Sequence, residues 1–239
     1  MFDHVTIRVA SLEESRRFYT LALGEPTHAG SEFVEWGDFS IAGARGDRPL
    51  TRRLHVGFAA HDRAQVDRWW ERLTGAGYAS DGKPGERPEY HVTYYGAFVL
   101  DPDGNSAESV HHHLTQPDAS VIDHLWLRTR SVADAKCFYE TIADATGLRV
   151  VHDAPDKLRL SDGVGSFSFV AGDEPTENVH LAFGVASSEA VDEFHRAGLA
   201  AGYASNGAPG ERPEYHVGYY GAFLQDPDGH NVEAVFHDR

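Results

Sequence analysis

This chain contains its own sequence twice. From His55 onward, a shift of 125 positions carries residues onto counterparts: His55 onto His180, Glu108 onto Glu233, and Gly85-Glu86-Arg87-Pro88-Glu89-Tyr90-His91-Val92 onto the same eight residues from Gly210 to Val217. Between residues 76–113 and 201–238, 27 of 38 positions are identical. Toward the N-terminus the shift falls to 120, where Asp3-His4-Val5 meets Asp123-His124-Leu125. A repeat this long is a whole folding unit, because solenoid repeats run to about 20–50 residues. It predicts two domains, 1–113 and 121–239, joined by a linker at 114–120 that holds Gln116-Pro117-Asp118.

Charge narrows the partners. The net charge is −16 and only three lysines occur, Lys83, Lys136 and Lys157, the opposite of what phosphate backbones and anionic membrane surfaces attract. No apolar run approaches the roughly 20 residues that span a bilayer, and no charged-then-apolar leader opens the chain. A lone cysteine, Cys137, allows no internal disulfide and agrees with a reducing compartment. The expectation is a cytoplasmic protein, monomer or homodimer, whose partner is a small molecule rather than nucleic acid or membrane.

Each half reads as strand, helix, strands, and then the same again. Asp3 to Val9 alternates, with His4, Thr6 and Arg8 on one face and Val5, Ile7 and Val9 on the other. Ser11-Leu12-Glu13-Glu14 has the capping-box pattern and predicts a helix to about Leu21. Phe33–Trp36 and Phe39–Ala42 read as short strands turned at Gly37-Asp38. The pattern restarts at Leu54, a second helix begins near Asp62, and two strands flank the turn Asp101-Pro102-Asp103-Gly104. Each half is therefore βαβββ-βαβββ in outline, an α+β fold of tandem repeated modules.

Strand phase carries the functional expectation. His4, His55 and Glu108 lie on faces opposite the aliphatic residues of their strands, and so do His124, His180 and Glu233. If each sheet curls with this face inward, three ligand-type residues can converge in each half.

These features together resemble the vicinal oxygen chelate superfamily: βαβββ repeats, a His opening the first strand, a His opening the fifth, and a Glu after Asp-Pro-x-Gly. That group includes glyoxalase I, type I extradiol dioxygenases and bleomycin-resistance proteins, and the resemblance spans essentially the whole chain. It implies curved mixed sheets in two domains. It also implies metal ligands at His4, His55 and Glu108 in one half and at His124, His180 and Glu233 in the other. The fourth ligand position falls on Ser40 or Ile41 and on Ser168 or Phe169, none of which supplies a charged oxygen. Two His and one carboxylate form the facial set typical of non-haem iron(II), so iron(II) or manganese(II) is the favoured metal, with nickel(II) or zinc(II) as alternatives. The run from His216 through Ala222-Phe223 and Asp226-Pro227-Asp228-Gly229 to Glu233 is similar to the extradiol dioxygenase signature, except that Phe stands where the family has Tyr. By the same resemblance His91 and His216 take an acid–base role, suited to an imidazole with an unperturbed pKa of about 6.5. The implied function is a metal-dependent, dioxygenase-like enzyme acting on a substrate that chelates through vicinal oxygens. The alternatives are a glyoxalase-like lyase or isomerase on an α-oxo compound, and a metal-free binding protein.

Other recurring residues have plainer readings. In His111-His112-His113 only His112 has a counterpart, His237, and it borders the expected site. Tyr94-Tyr95 and Tyr219-Tyr220 read as packing, and Arg87 and Arg212 as partners of neighbouring Glu. Trp126 lies on the ligand face where the first half has Thr6, and is expected either to narrow the second half's cavity or to give an aromatic ligand a stacking wall.

Overall fold

The computed structural model describes residues 1–163 and 165–238. The βαβββ pattern appears four times. The first module is β1 (Phe2–Val9), α1 (Leu12–Leu23), β2 (His28–Ala29), β3 (Phe33–Trp36) and β4 (Phe39–Gly43). The second is β5 (His55–Ala59), α2 (Arg63–Gly75), β6 (Ser80–Glu86), β7 (Tyr95–Leu100) and β8 (Ser106–His111). The third is β9 (Ile122–Thr129), α3 (Val132–Thr141) with the short α4 (Ala143–Thr146), β10 (Arg149–Ala154), β11 (Lys157–Ser161) and β12 (Ser166–Ala171). The fourth is β13 (His180–Gly184), α5 (Ser188–Ala200), β14 (Ser205–Glu211), β15 (Tyr219–Gln225) and β16 (Asn231–His237). The α+β fold of tandem modules expected from the repeat is the fold observed.

Local chemistry places these elements. Ser11 accepts from the Glu14 amide, Asp62 from Gln65, Ser131 from Asp134 and Ser187 from Ala190, so four helices start on a side-chain cap. Gly37 turns the β3–β4 hairpin at φ +61°, a conformation that costs glycine little. The segment Ser80–Glu86 does not read as a strand in the sequence because it carries Pro84, Gly82 and Gly85. It serves as β6 because it is an edge strand with irregular register, where a missing donor is tolerated.

Two eight-stranded mixed sheets result, ordered β10-β11-β12-β9-β5-β8-β7-β6 and β14-β15-β16-β13-β1-β4-β3-β2. The compact units differ from the expected division at the first strand of each half. The first unit is Thr6–Trp126, and the second is Met1–Val5 with Leu127–Arg239. Each unit has its own core: Ile7, Val9, Phe18, Tyr19, Phe39 and Phe58 are buried in the first, and Leu127, Phe138, Tyr139, Phe167, Phe183 and Phe194 in the second. Full burial of one such side chain is worth about 1.5–3 kcal/mol. The helix-facing residues Val5, Ile7 and Val9 are all fully buried, as the alternation predicts. No helix among the described residues is long and apolar enough to cross a membrane.

Candidate functional site

In the first unit the site grows out of one register. β5 runs parallel to β8 and antiparallel to β9, and Gly57 is paired with Glu108 on one side and His124 on the other. His55, two residues before Gly57, points to the same face. The missing side chain of Gly57 leaves the space in which the three groups meet: a Cβ there would lie 2.3 Å from Cε1 of His124. A Cβ on Gly96 would likewise lie 2.3 Å from Oε1 of Glu108. Into this space His55 brings Nε2 to 3.0 Å from Oε2 of Glu108 and 3.3 Å from Nε2 of His124. His124 Nε2 is 3.4 Å from the same carboxylate oxygen.

A second layer holds these groups. The Tyr94 hydroxyl donates to Oε1 of Glu108 at 2.8 Å. His124 Nδ1 meets Asp123 at 2.8 Å, and His112 reaches the same oxygen at 3.2 Å. His55 Nδ1 meets the Ser106 hydroxyl at 3.3 Å. Glu108 is 1% exposed, so its charge depends on these partners. Burial alone raises its carboxyl, yet the hydrogen bonds and charge of His124 and His55 hold it below the usual range. Burial also opposes charge on His124, but Asp123 and Glu108 outweigh it and raise the ring to about 9. Burial and the neighbouring Glu108 push the Tyr94 phenol far up, so it remains a donor.

The second unit repeats the arrangement with His4, His180 and Glu233. His4 Nε2 lies 3.0 Å from His180 Nε2, and Oε2 of Glu233 lies 3.1 Å from His180 and 3.8 Å from His4. Tyr219 donates to Oε1 of Glu233 at 2.6 Å, and Asp3 accepts from His4 Nδ1 at 2.9 Å. Burial favours a neutral Asp3, but His4 and His237 hold its pKa down. Ala182 stands where the first unit has Gly57, and it is paired with Glu233.

Each set offers one ligand atom per residue, all within 4.8 Å of one another. A cation about 2.1 Å from each of three donors at right angles needs edges of about 3.0 Å between them. The observed edges of 3.0, 3.3 and 3.4 Å in the first unit fit that requirement, and the second unit has one longer edge of 3.8 Å. The donor chemistry fits as well, since lone-pair atoms converging on one point call for a proton or a cation between them. Either set could hold a divalent metal.

All six residues expected as ligands lie in these clusters, but in a different grouping. His4 joins His180 and Glu233, and His124 joins His55 and Glu108. The cause is that Met1–Val5 belongs to the second unit while the start of β9 pairs with β5. For the same reason Trp126 borders the first unit's site, its ring 5.9 Å from that of His55, rather than narrowing the second. His216 ends a hydrogen-bonded file: its Nε2 is 2.9 Å from Nδ1 of His237, which meets Asp3 at 2.8 Å, which holds His4. His91 is exposed, accepts from the Thr93 amide at 3.2 Å and stacks on His113 at 4.4 Å. Ser40 is hydrogen-bonded to Thr6. Arg87 and Arg212 lie over Phe98 and Phe223, each 5.6 Å from the ring centre, rather than pairing with a neighbouring Glu carboxylate.

Tyr94, Tyr219, Asp3 and Asp123 escape a reading of strand phase. The available signal is their recurrence at fixed spacing: each Tyr precedes its Glu by 14 residues, and each Asp directly precedes its His.

Solved structures share this fold. Glyoxalase I from Zea mays aligns over 99% of this chain and 92% of its own, with TM-score 0.71 and 19% identity. A putative dioxygenase from Bacillus subtilis aligns over 100% of this chain and 85% of its own, with TM-score 0.68 and 15% identity. A comparison with curated proteins finds no match. The family model Glyoxalase/Bleomycin resistance protein/Dioxygenase superfamily matches residues 1–108 and again 121–234, and the chain belongs to that superfamily.

Proposed function

We propose that this chain is a metal-dependent enzyme that binds a small substrate through two neighbouring oxygens, with dioxygenase-type chemistry. The observation that carries this reading is the pair of two-histidine, one-carboxylate sets, each backed by a tyrosine and an aspartate. His55, Glu108 and His124 would hold one cation, and His4, His180 and Glu233 the other. Iron(II) or manganese(II) suits such a facial set with open positions, and nickel(II) or zinc(II) would also bind it. Once bound, the cation supplies Lewis-acid polarisation of the substrate oxygens and, if redox-active, access to dioxygen.

The chain's own residues do the rest. Asp123 and Asp3 accept from Nδ1 of His124 and His4, which turns each Nε2 toward the cluster. Tyr94 and Tyr219 occupy one carboxylate oxygen and leave the other for the cation. His216, at the outer end of the file through His237 and Asp3, is proposed to carry protons to and from substrate in the second unit. His91 is proposed for the same role in the first, and its exposed ring is held by Thr93.

The test is an oxygen electrode. Protein loaded anaerobically with iron(II) or manganese(II) is assayed on a panel of catechols, enediols and α-oxo compounds. Oxygen uptake matched to product supports the dioxygenase reading. Equal turnover without oxygen replaces it with the lyase or isomerase reading. No uptake of any of the four metals removes the enzyme reading and leaves a binding protein.

A further inference from the structure

Each copy keeps one arginine beside its donor set with no carboxylate partner. Phe98 is paired with Glu108 across β7 and β8, so its side chain lies on the face where the donors meet, its ring 5.8 Å from that of His55. The guanidinium of Arg87 lies over the same phenyl ring, 5.6 Å from its centre. Room for this stack comes from the edge strand β6. A Cβ on Gly82 would stand 2.7 Å from Cδ2 of Phe98, and one on Gly85 would stand 2.8 Å from Nη1 of Arg87. The second unit repeats the stack. Phe223 pairs with Glu233, its ring is 6.2 Å from that of His180, and Arg212 lies 5.6 Å from its centre. Gly207 and Gly210 leave the corresponding space.

The two arginines are held in place but not neutralised. Arg87 donates to the carbonyls of Glu86 at 3.0 Å and Lys83 at 2.9 Å, and Arg212 to those of Glu211 at 3.0 Å and Ala208 at 2.7 Å. Carbonyls fix the orientation of a guanidinium without cancelling its charge, and the bonds leave the rest of its five N–H groups for another acceptor. Among the described residues no carboxylate pairs with either arginine, and the adjacent Glu86 is taken by Arg63 at 2.8 Å. The chain carries 37 acidic residues against 21 Lys and Arg. Two arginines left without a carboxylate in such a chain, at matched places beside the donors, point to an anion supplied from outside.

We propose that Arg87 and Arg212 capture a carboxylate of the substrate, each for its own unit's site. The planar fork of a guanidinium matches a carboxylate through two parallel N–H···O bonds, which a lysine could not reproduce. The substrate class is then a carboxylate-bearing molecule whose two neighbouring oxygens face the cation. The chelation rests on the metal reading above; the capture of the carboxylate does not.

Arginine side-chain ¹⁵N–¹H spectra of the metal-free protein test the capture directly. The Nε–H signals are assigned with Arg87→Lys and Arg212→Lys, and phenylacetate is titrated in parallel with its neutral amide, phenylacetamide. Both signals should shift to saturation with phenylacetate and stay in place with phenylacetamide. No shift with phenylacetate, or equal shifts with both compounds, overturns the proposal whether or not metal binds. Manganese(II)-loaded protein is then titrated calorimetrically with a catechol carrying an acetate arm and the same catechol carrying an acetamide arm. Wild type should favour the acetate about 10- to 100-fold. Arg87→Gln/Arg212→Gln should lose that preference while keeping its affinity for the acetamide. Equal loss of both ligands would make the arginines clips for their own loops and overturn the proposal. A preference absent from wild type, or retained in the variant, does the same. Saturating arginine shifts with no manganese(II) uptake would keep the capture and overturn the metal reading instead.

Discussion

Gly96→Ala should disable the first unit's site without unfolding the protein. A Cβ at this position would stand 2.3 Å from Oε1 of Glu108, whereas ordinary contact begins at 3.4 Å, so the carboxylate must retreat by about 3.4 − 2.3 = 1.1 Å. It has nowhere easy to go, being 1% exposed and tied to the Tyr94 hydroxyl at 2.8 Å. Metal sites tolerate ligand displacements of about 0.2 Å, so one of three donors is lost and affinity should fall more than about 100-fold. Losing the Tyr94–Glu108 bond costs about 1.5–3 kcal/mol, and the alanine returns about 0.4–1 kcal/mol by restricting the unfolded chain. The net is a loss of about 0.5–2.6 kcal/mol. Gly75→Ala is the control, because nothing lies within 4 Å of its Cβ. Calorimetric titration with manganese(II), alongside thermal melts, reads both effects. Gly96→Ala should bind one cation per chain and melt a few degrees lower, and Gly75→Ala should bind two. A Gly96→Ala protein that binds two cations with wild-type affinity would show that the Glu108 carboxylate does not need the space this glycine leaves.

Tyr219→Phe and Tyr94→Phe each leave a buried carboxylate oxygen without its donor, so each should lower metal-free stability by about 1–3 kcal/mol by denaturant melts and weaken its own unit's cation about tenfold. The raised pKa of His124, about 9, fixes a pH dependence in the metal-free protein. Its contacts with Asp123 and Glu108 stabilise the fold fully below about 6.5 and lose that effect as pH rises through about 9. Melting temperature should therefore fall over this window, and Asp123→Asn should flatten the fall. The same proton competes with a cation, so calorimetry at pH 7 in buffers of different ionisation enthalpy should show about one proton released by the first unit's site.

Much of this was legible in the sequence because it depends on period and repetition. Alternation of His4, Thr6 and Arg8 against Val5, Ile7 and Val9 is a property of the strand itself, and the buried residues follow it. The helix starts at Ser11, Asp62, Ser131 and Ser187 are local hydrogen bonds. The six clustered donors were recognisable as residues, since copying preserves them. Their grouping was not legible, because it depends on which strand lies beside β5, and pairing between distant strands leaves no local trace. The importance of Gly57 and Gly96 was hidden for a related reason: what requires a glycine there is a side chain on another strand. Tyr94 looked like strand packing because its hydroxyl finds its partner only across the β7–β8 register.

The donors group across the two sequence halves, and metal stoichiometry in paired variants reads that grouping. Two chains are compared by elemental analysis after anaerobic loading with iron(II) or manganese(II). His4→Ala/His180→Ala removes donors from one cluster only and should retain one cation per chain. His4→Ala/His55→Ala removes a donor from each and should retain none. The reverse result, with the first variant empty and the second holding one, would show that the sites follow the sequence halves instead.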